Sequence, residues 1–142
     1  MKHLKTGIIS LALLLAMIPL AAAADSNRVV VTVTTDQPQT QAMAMILSGQ
    51  LVERGAELHV LLCDKGGELA TRSYEGPTMK GADATPQQIM QNVMRGAASV
   101  QVCALFLPNS DYTKDDLIDG VGVATPPQMG ELMFDDARFM TF

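Results

Sequence analysis

Two side chains in this sequence can act as sulfur nucleophiles, Cys63 and Cys103, forty residues apart. The thiolate is the reactive form, and its share rises near a cation or near the amides that open a helix. Lys65 and the amides of Gly66 and Gly67 follow Cys63 closely enough to act in this way, while the charge of Asp64 opposes them. From the residues alone three states are open to the pair. A thiol packed inside as a small hydrophobe is inert. A Cys63–Cys103 disulfide is structural and persists in an oxidising compartment. Closing that loop would stabilise the fold by about 4 kcal/mol on the chain-entropy model, provided the two Cα atoms approach within about 7 Å. An accessible thiol, the third state, carries sulfur or electrons.

Other chemistry has less to work with. No Cys-x-x-Cys pair is present, which speaks against a thioredoxin-type dithiol. Beyond the first residues His59 is the one histidine, placed mid-strand, and with two cysteines it does not make a zinc site of known type within one chain. No Gly-x-Gly-x-x-Gly turn or Walker loop occurs, so the sequence calls for neither a metal nor a nucleotide cofactor. Met90 with Met94, and Met129 with Met133, stand four apart. Thioethers suit Cu(I), but the same spacing is what core packing produces, and core filling is the expectation here. The acid pairs Asp115-Asp116 and Asp135-Asp136 are expected on the surface near helix ends.

The elements that must hold the cysteines follow from periodicity. Residues 28–35 (RVVVTVTT) are β-branched and apolar on both faces at the start, as in a strand covered on both sides. A polar turn leads to a helical run over 41–54 with Met45, Leu47, Leu51 and Val52 as its apolar side and Gly55 as its stop. Residues 57–63 (ELHVLLC) form a second strand that ends on Cys63. Gly66-Gly67 permit a tight turn before a short helical piece at 68–73. Pro86 opens a helix that runs to about 97, and 99–107 (SVQVCALFL) form a third strand containing Cys103. Thr113 and Asp116 resemble a weak capping box for a short helix through 118. A short strand at 121–124, a helix at 126–135 and a closing strand at 138–142 complete the chain. Helix and strand alternate strictly, which predicts βαβ units and a three-layer α/β/α fold. Both cysteines then fall toward the carboxyl ends of strands, where ligands gather in open parallel sheets.

The ends set the context. Lys2, His3 and Lys5 precede an apolar stretch at 7–20 and a run of alanines at 21–24, the order of a signal peptide cut near Ala23 or Ala24. That stretch is shorter than the roughly 20 residues a spanning helix needs. Residues 1–24 are therefore expected to be removed and 25–142 to form a single domain, periplasmic and with no membrane attachment after cleavage. Loss of Lys2 and Lys5 leaves eight Lys and Arg against fifteen Asp and Glu, a formal charge of −7. With that balance, no basic cluster and no tryptophan, nucleic acid is not an expected partner.

Val102-Cys103-Ala104-Leu105-Phe106-Leu107-Pro108-Asn109 resembles the central strand and following loop of the DsrE/DsrF-like family. The tail is similar too: Asp116-Leu117-Ile118-Asp119-Gly120-Val121, then Pro126-Pro127, then Arg138-Phe139-Met140-Thr141-Phe142. Leu61-Leu62-Cys63-Asp64 with Gly67-Glu68-Leu69-Ala70 resembles a pattern of its exported members. The likeness spans residues 28–142. It implies an α/β/α sandwich with a mainly parallel five-stranded sheet, assembled as homo-oligomeric trimers or hexamers. In the sulfur-relay members a cysteine at or near the position of Cys103 accepts sulfane sulfur as a persulfide and passes it on, with no metal or organic cofactor. Phe106 stands where some members carry a second cysteine, and Pro108-Asn109 where Arg-Gly is common. Cys103 is thus the one catalytic candidate carried over, with Cys63 as a partner thiol. The implied function is a periplasmic sulfur-relay or thiol-exchange protein, a sulfurtransferase-like carrier with a sulfur donor and acceptor protein as partners. The alternative is a non-catalytic oligomeric binding or scaffold domain of the same fold, its cysteines buried or joined in a structural disulfide.

Overall fold

The computed structural model describes residues 27–142, so the leader and its cleavage site lie outside the described residues. Five strands, β1 (Arg28–Val33), β2 (Glu57–Leu62), β3 (Ser99–Cys103), β4 (Gly122–Ala124) and β5 (Arg138–Thr141), form one sheet in the order β4-β3-β2-β1-β5. Every neighbouring pair is parallel. Three α-helices connect them, α1 (Pro38–Glu53), α2 (Pro86–Met94) and α3 (Pro126–Phe134). No helix among the described residues is long and apolar enough to cross a membrane.

Chain order and handedness decide the layers. β1, β2, β3 and β4 step across the sheet in one direction, so right-handed crossovers put α1 and α2 on the same face. The step from β4 back past β1 to β5 runs the other way and puts α3 on the opposite face. The expected α/β/α sandwich with a parallel five-stranded sheet is what the chain forms.

The first face is the core. Val29, Val31, Val33, Leu58, Val60, Leu62, Val100 and Val102 alternate onto it and pack with Ala44 and Met45 of α1 and Met90 and Val93 of α2. Pro86 starts α2 where its missing N–H costs nothing, and Thr85 and Gln88 satisfy each other's backbone amides in a reciprocal cap. The second face carries Arg28, Val30, Thr32, His59, Leu61, Ser99, Gln101 and Cys103, the alternate residues of the same strands. Among the described residues only α3 lies over it, and none of that helix's nine residues is buried.

Several boundaries differ from the sequence expectation, each for a local reason. α1 begins three residues early, at Pro38. Of its expected apolar side, Met45 is buried and Leu51 and Val52 pack against the core, but Leu47 is exposed and Gln41, Ala42, Ala44 and Ser48 are buried instead. Its apolar residues, unbroken from Ala42 to Leu47, are spread around the helix, so periodicity does not single out a face; small residues do, because they let α2 and the sheet come close. Gln41 is accommodated by donating to the Thr35 carbonyl and accepting from the Tyr74 hydroxyl, at 2.8 and 2.9 Å. The third strand stops at Cys103, not 107, because the Phe106 N–H turns back to the Cys103 carbonyl at 2.9 Å. The helix expected through 118 shrinks to a 3-10 turn at Lys114–Asp116, with the Thr113–Asp116 cap formed. Among the methionines, Met45 and Met90 are fully buried as core filler, while Met43 and Met133 are exposed and fill nothing.

Candidate functional site

The ends of β2 and β3 bring the two cysteines side by side. Leu62 pairs with Val102 in the parallel register, and one step further Cys63 faces Cys103 with 5.0 Å between their Cα atoms. The side chains are joined as a disulfide, and no free cysteine remains among the described residues. Neither residue is fully buried. The two readings that leave each sulfur as a separate thiol, inert or active, are therefore not the state of this structure; the linked state is.

Each flank of the disulfide is shaped by a turn. After Cys63 the chain enters a 3-10 helix, Asp64–Ala70, through Asp64 in the left-handed region at φ 49°. A non-glycine residue there is uncommon, and Asp is among the few that tolerate it. Gly66 and Gly67 are required by close approach. A Cβ on Gly66 would strike the Val33 carbonyl, and one on Gly67 would strike the Phe106 ring. After Cys103, the turn to Phe106 plants that ring in the first-face core and leaves Leu105 pointing out, 74% exposed. Asn109 donates to the Leu105 carbonyl at 2.8 Å, and Tyr112 stacks on Phe106 with centroids 5.8 Å apart. The loop is fixed by these contacts even though its tip is exposed.

Two cavities meet at Cys103. The larger, about 500 Å³, is an open cleft over both cysteines, walled by Asp64, Lys65, Glu68, Leu105, Phe106, Asn109 and Ser110. The smaller, about 250 Å³, lies beside Cys103 on the second face, between Leu61 of β2, Ala104 and Leu105 of the following turn, and Ala124, Pro126 and Met129. No charged or hydrogen-bonding side chain lines the smaller one. In the cleft, the Lys65 ammonium bonds to Glu68 at 3.2 Å. That bond, then the Glu68 charge, and further out Asp36 and Asp64, hold its pKa above the ordinary lysine value. Lys65 is thus a committed cation of an otherwise acidic rim, engaged with Glu68 and not with Cys63 as the sequence had suggested.

His59, also on the second face, lies away from the cysteines. Its Nδ1 is 2.9 Å from the Ser99 hydroxyl and its Nε2 3.4 Å from Glu57, which also pairs with Arg28. It is a hydrogen-bonded strand residue beside a polar cavity of about 380 Å³ under α3. No group of three or more His, Cys, Asp or Glu placed to hold a metal ion occurs among the described residues.

The surroundings of Cys103 were not legible in the sequence. Leu61 lies about sixty residues before Ala124, Pro126 and Met129, and only the strand order places them around one sulfur. The alternation of 59, 61 and 63 against 99, 101 and 103 was the available signal, since it puts both cysteines on one face once β2 and β3 are taken as neighbours.

No family model matches the chain, and no curated protein matches it. Solved structures do. The crystal structure of the ychN protein from E. coli superposes with a TM-score of 0.65 at 18% identity, covering 81% of this chain and 99% of that one. MTH1491 from Methanobacterium thermoautotrophicum, a protein of unknown function, superposes with a TM-score of 0.62 at 16% identity, covering 81% and 98%. Both have the DsrE-like fold. The fold of this chain is DsrE-like. At such identities the likeness concerns architecture alone. Within a DsrE-like sheet, the Cys63–Cys103 pair occupies the carboxyl edge, the place where parallel α/β sheets put their ligands.

Proposed function

We propose that this chain is an exported, periplasmic sulfur-relay or thiol-exchange protein whose working centre is the Cys63–Cys103 pair. In this reading Cys103 is the persulfide-accepting thiol and Cys63 its resolving partner. The observation that carries it is the position of the pair: a disulfide at the carboxyl edge of the sheet, part-exposed at both ends and open to a cleft of about 500 Å³. A sulfur in such a place is open to in-line attack, and thiol–disulfide exchange needs nothing beyond access and a thiolate. Reduction yields two thiols held 5.0 Å apart at Cα, so that either can attack what the other has taken up. Homo-oligomeric assembly belongs to the same reading. Phe134, 94% exposed, with Met133 and Phe139, supports it as an apolar surface that assembly would cover.

The test uses reduced protein and a persulfide or polysulfide donor. Intact mass should rise by one sulfur atom, and peptide mapping should place it on Cys103. Cys103→Ser should abolish the gain, and absence of any adduct on the reduced parent sinks the reading.

A second reading has its own observation in favour. The disulfide ties two strand ends that the sheet register already brings together, which is what a purely structural link does. Then reduction changes stability only, and the reduced chain takes up no sulfur.

A further inference from the structure

The oxidation state of the pair restricts what can load it. A dithiol gains a persulfide from a sulfane donor, because a thiolate attacks sulfur already at the oxidised level. A disulfide offers no thiolate. It can gain a persulfide only from sulfur at the sulfide level, with its own S–S bond accepting the two electrons. In the structure the pair is a disulfide.

The cavities say from where. Attack on a disulfide sulfur comes in line with the bond, opposite the sulfur that leaves. The bond crosses from the end of β2 to the end of β3, and the next strand beyond Cys103 is β4, with Ala124 as its register partner. A nucleophile that attacks Cys103 and expels Cys63 therefore approaches from the β4 side. The small cavity reaches Cys103 from that side, where Ala124, Pro126 and Met129 wall it; Leu61 of β2, Ala104 and Leu105 make its other walls. It has room for a small molecule, and its walls offer no polar partner to a charged one. Thiols that carry carboxylates or ammonium groups find no partner for those charges on its walls. Hydrogen sulfide, neutral in good part near pH 7 and a weak hydrogen-bonder, needs none.

We propose that the oxidised pair takes hydrogen sulfide through this apolar cavity and stores it as a persulfide on Cys103. The step closes without a further reactant. Sulfide sulfur bonds to the Cys103 sulfur, the Cys63–Cys103 bond breaks, and its electron pair leaves with Cys63, which receives the proton. One molecule of hydrogen sulfide adds across one disulfide, leaving a persulfide on Cys103 and a thiol on Cys63. Sulfide sulfur is oxidised by two electrons in forming the sulfane bond, and the disulfide is reduced by the same two. A thiolate of an acceptor protein then attacks the outer sulfur, takes it as a persulfide and leaves the dithiol. The inference rests on the sulfur-exchange reading above and specifies its donor.

The test incubates the purified chain, disulfide intact, with sodium sulfide under anaerobic conditions, quenches with an alkylating agent and maps the products. The expected product is heavier than the disulfide form by one molecule of hydrogen sulfide, with the extra sulfur on Cys103 and a free thiol at Cys63. Extra sulfur on Cys63 overturns the direction of attack. Pre-reduced Cys63→Ser, having no disulfide to break, should gain nothing from sulfide yet still load from polysulfide; equal loading of this variant from sulfide overturns the proposal. Met129→Glu, a change at a part-exposed position on α3, should slow sulfide loading about tenfold or more by placing a charge in the cavity. An unchanged rate overturns the route. If oxidised protein ignores sulfide while reduced protein loads from polysulfide, the inference falls and the sulfur-exchange reading stands; if neither loads, both fall.

Discussion

The two faces of the sheet are built from alternate residues of the same strands, yet they serve different ends. On the face under α1 and α2, Val29, Val31, Leu58, Val60, Leu62, Val100 and Val102 are buried to within a few per cent and contribute through removal of apolar surface from water. On the face under α3, Arg28, His59, Ser99 and Gln101 share the surface with Val30 and Leu61, and the covering helix buries none of its residues. Cavities remain at both ends of that helix, an apolar one beside Cys103 and a polar one beside Arg28 and His59. A dry face holds the fold, and a loosely covered face leaves room for chemistry. Beside the buried Val30 and Leu61, this face carries a covalent link at one end, the disulfide between β2 and β3, and an ionic one at the other, Arg28 bonding Asp135 at 2.8 Å.

The contrast is broken most directly by reducing the disulfide. If the link is the main fastening of the second face, reduction should lower unfolding free energy by roughly 4 kcal/mol, the chain-entropy value for a loop of this length. Urea titrations of parent and Cys63→Ser/Cys103→Ser, with and without reductant, measure it; a loss under about 1 kcal/mol would show that neighbouring strand contacts already do the work. Next in size is a matched pair of truncations. Leu58→Ala, on the fully buried face, should cost about 2–5 kcal/mol, whereas Leu132→Ala, on part-exposed α3, should cost less than about 1. Equal losses would erase the distinction between the faces.

The smallest effect concerns the ionic fastening. The Glu57 carboxylate accepts a hydrogen bond from Arg28 and feels its charge, and is held below the ordinary carboxylate pKa against the opposing effect of burial. A folded-state pKa lower than the unfolded one contributes stability above the unfolded value and loses it as pH falls through the folded one. Glu57→Gln should therefore be slightly less stable than the parent at neutral pH, and the two should converge in acid. A gap that persists or widens below the carboxylate range would assign the difference to packing instead.

How much of this was written in the sequence differs between the faces as well. The strands, their order along the chain and the parallel sheet follow from the apolar and β-branched runs at 28–35, 57–63 and 99–107 and from their alternation with helices, although the first and third strands end short of those runs. Cys63 and Cys103 near strand ends were legible for the same reason. Their union was one of three open states, because pairing depends on β2 and β3 being neighbours in register, which is a property of the assembled sheet. On α1 only Leu47 departs from its expected place, since it looks more like a core residue than Ala44 or Ser48, and the closeness of α2 decides for small side chains. The apolar character of Met133 and Phe134 gave no hint that α3 would leave them in solvent. Burial there is set by how closely the helix seats on a polar sheet face.

Phe106 belongs to both regions at once: its amide fastens the turn after Cys103, while its ring lies in the dry core against Gly67 and under Tyr112. The chain has no tryptophan and two tyrosines, Tyr74 and Tyr112. Its ultraviolet emission therefore comes from these two rings, one of them a single stacking contact away from the loop that carries Cys103. The molecule contains its own optical gauge of the sulfur centre, and opening the Cys63–Cys103 bond should register as a change in tyrosine intensity or near-ultraviolet dichroism with no label attached.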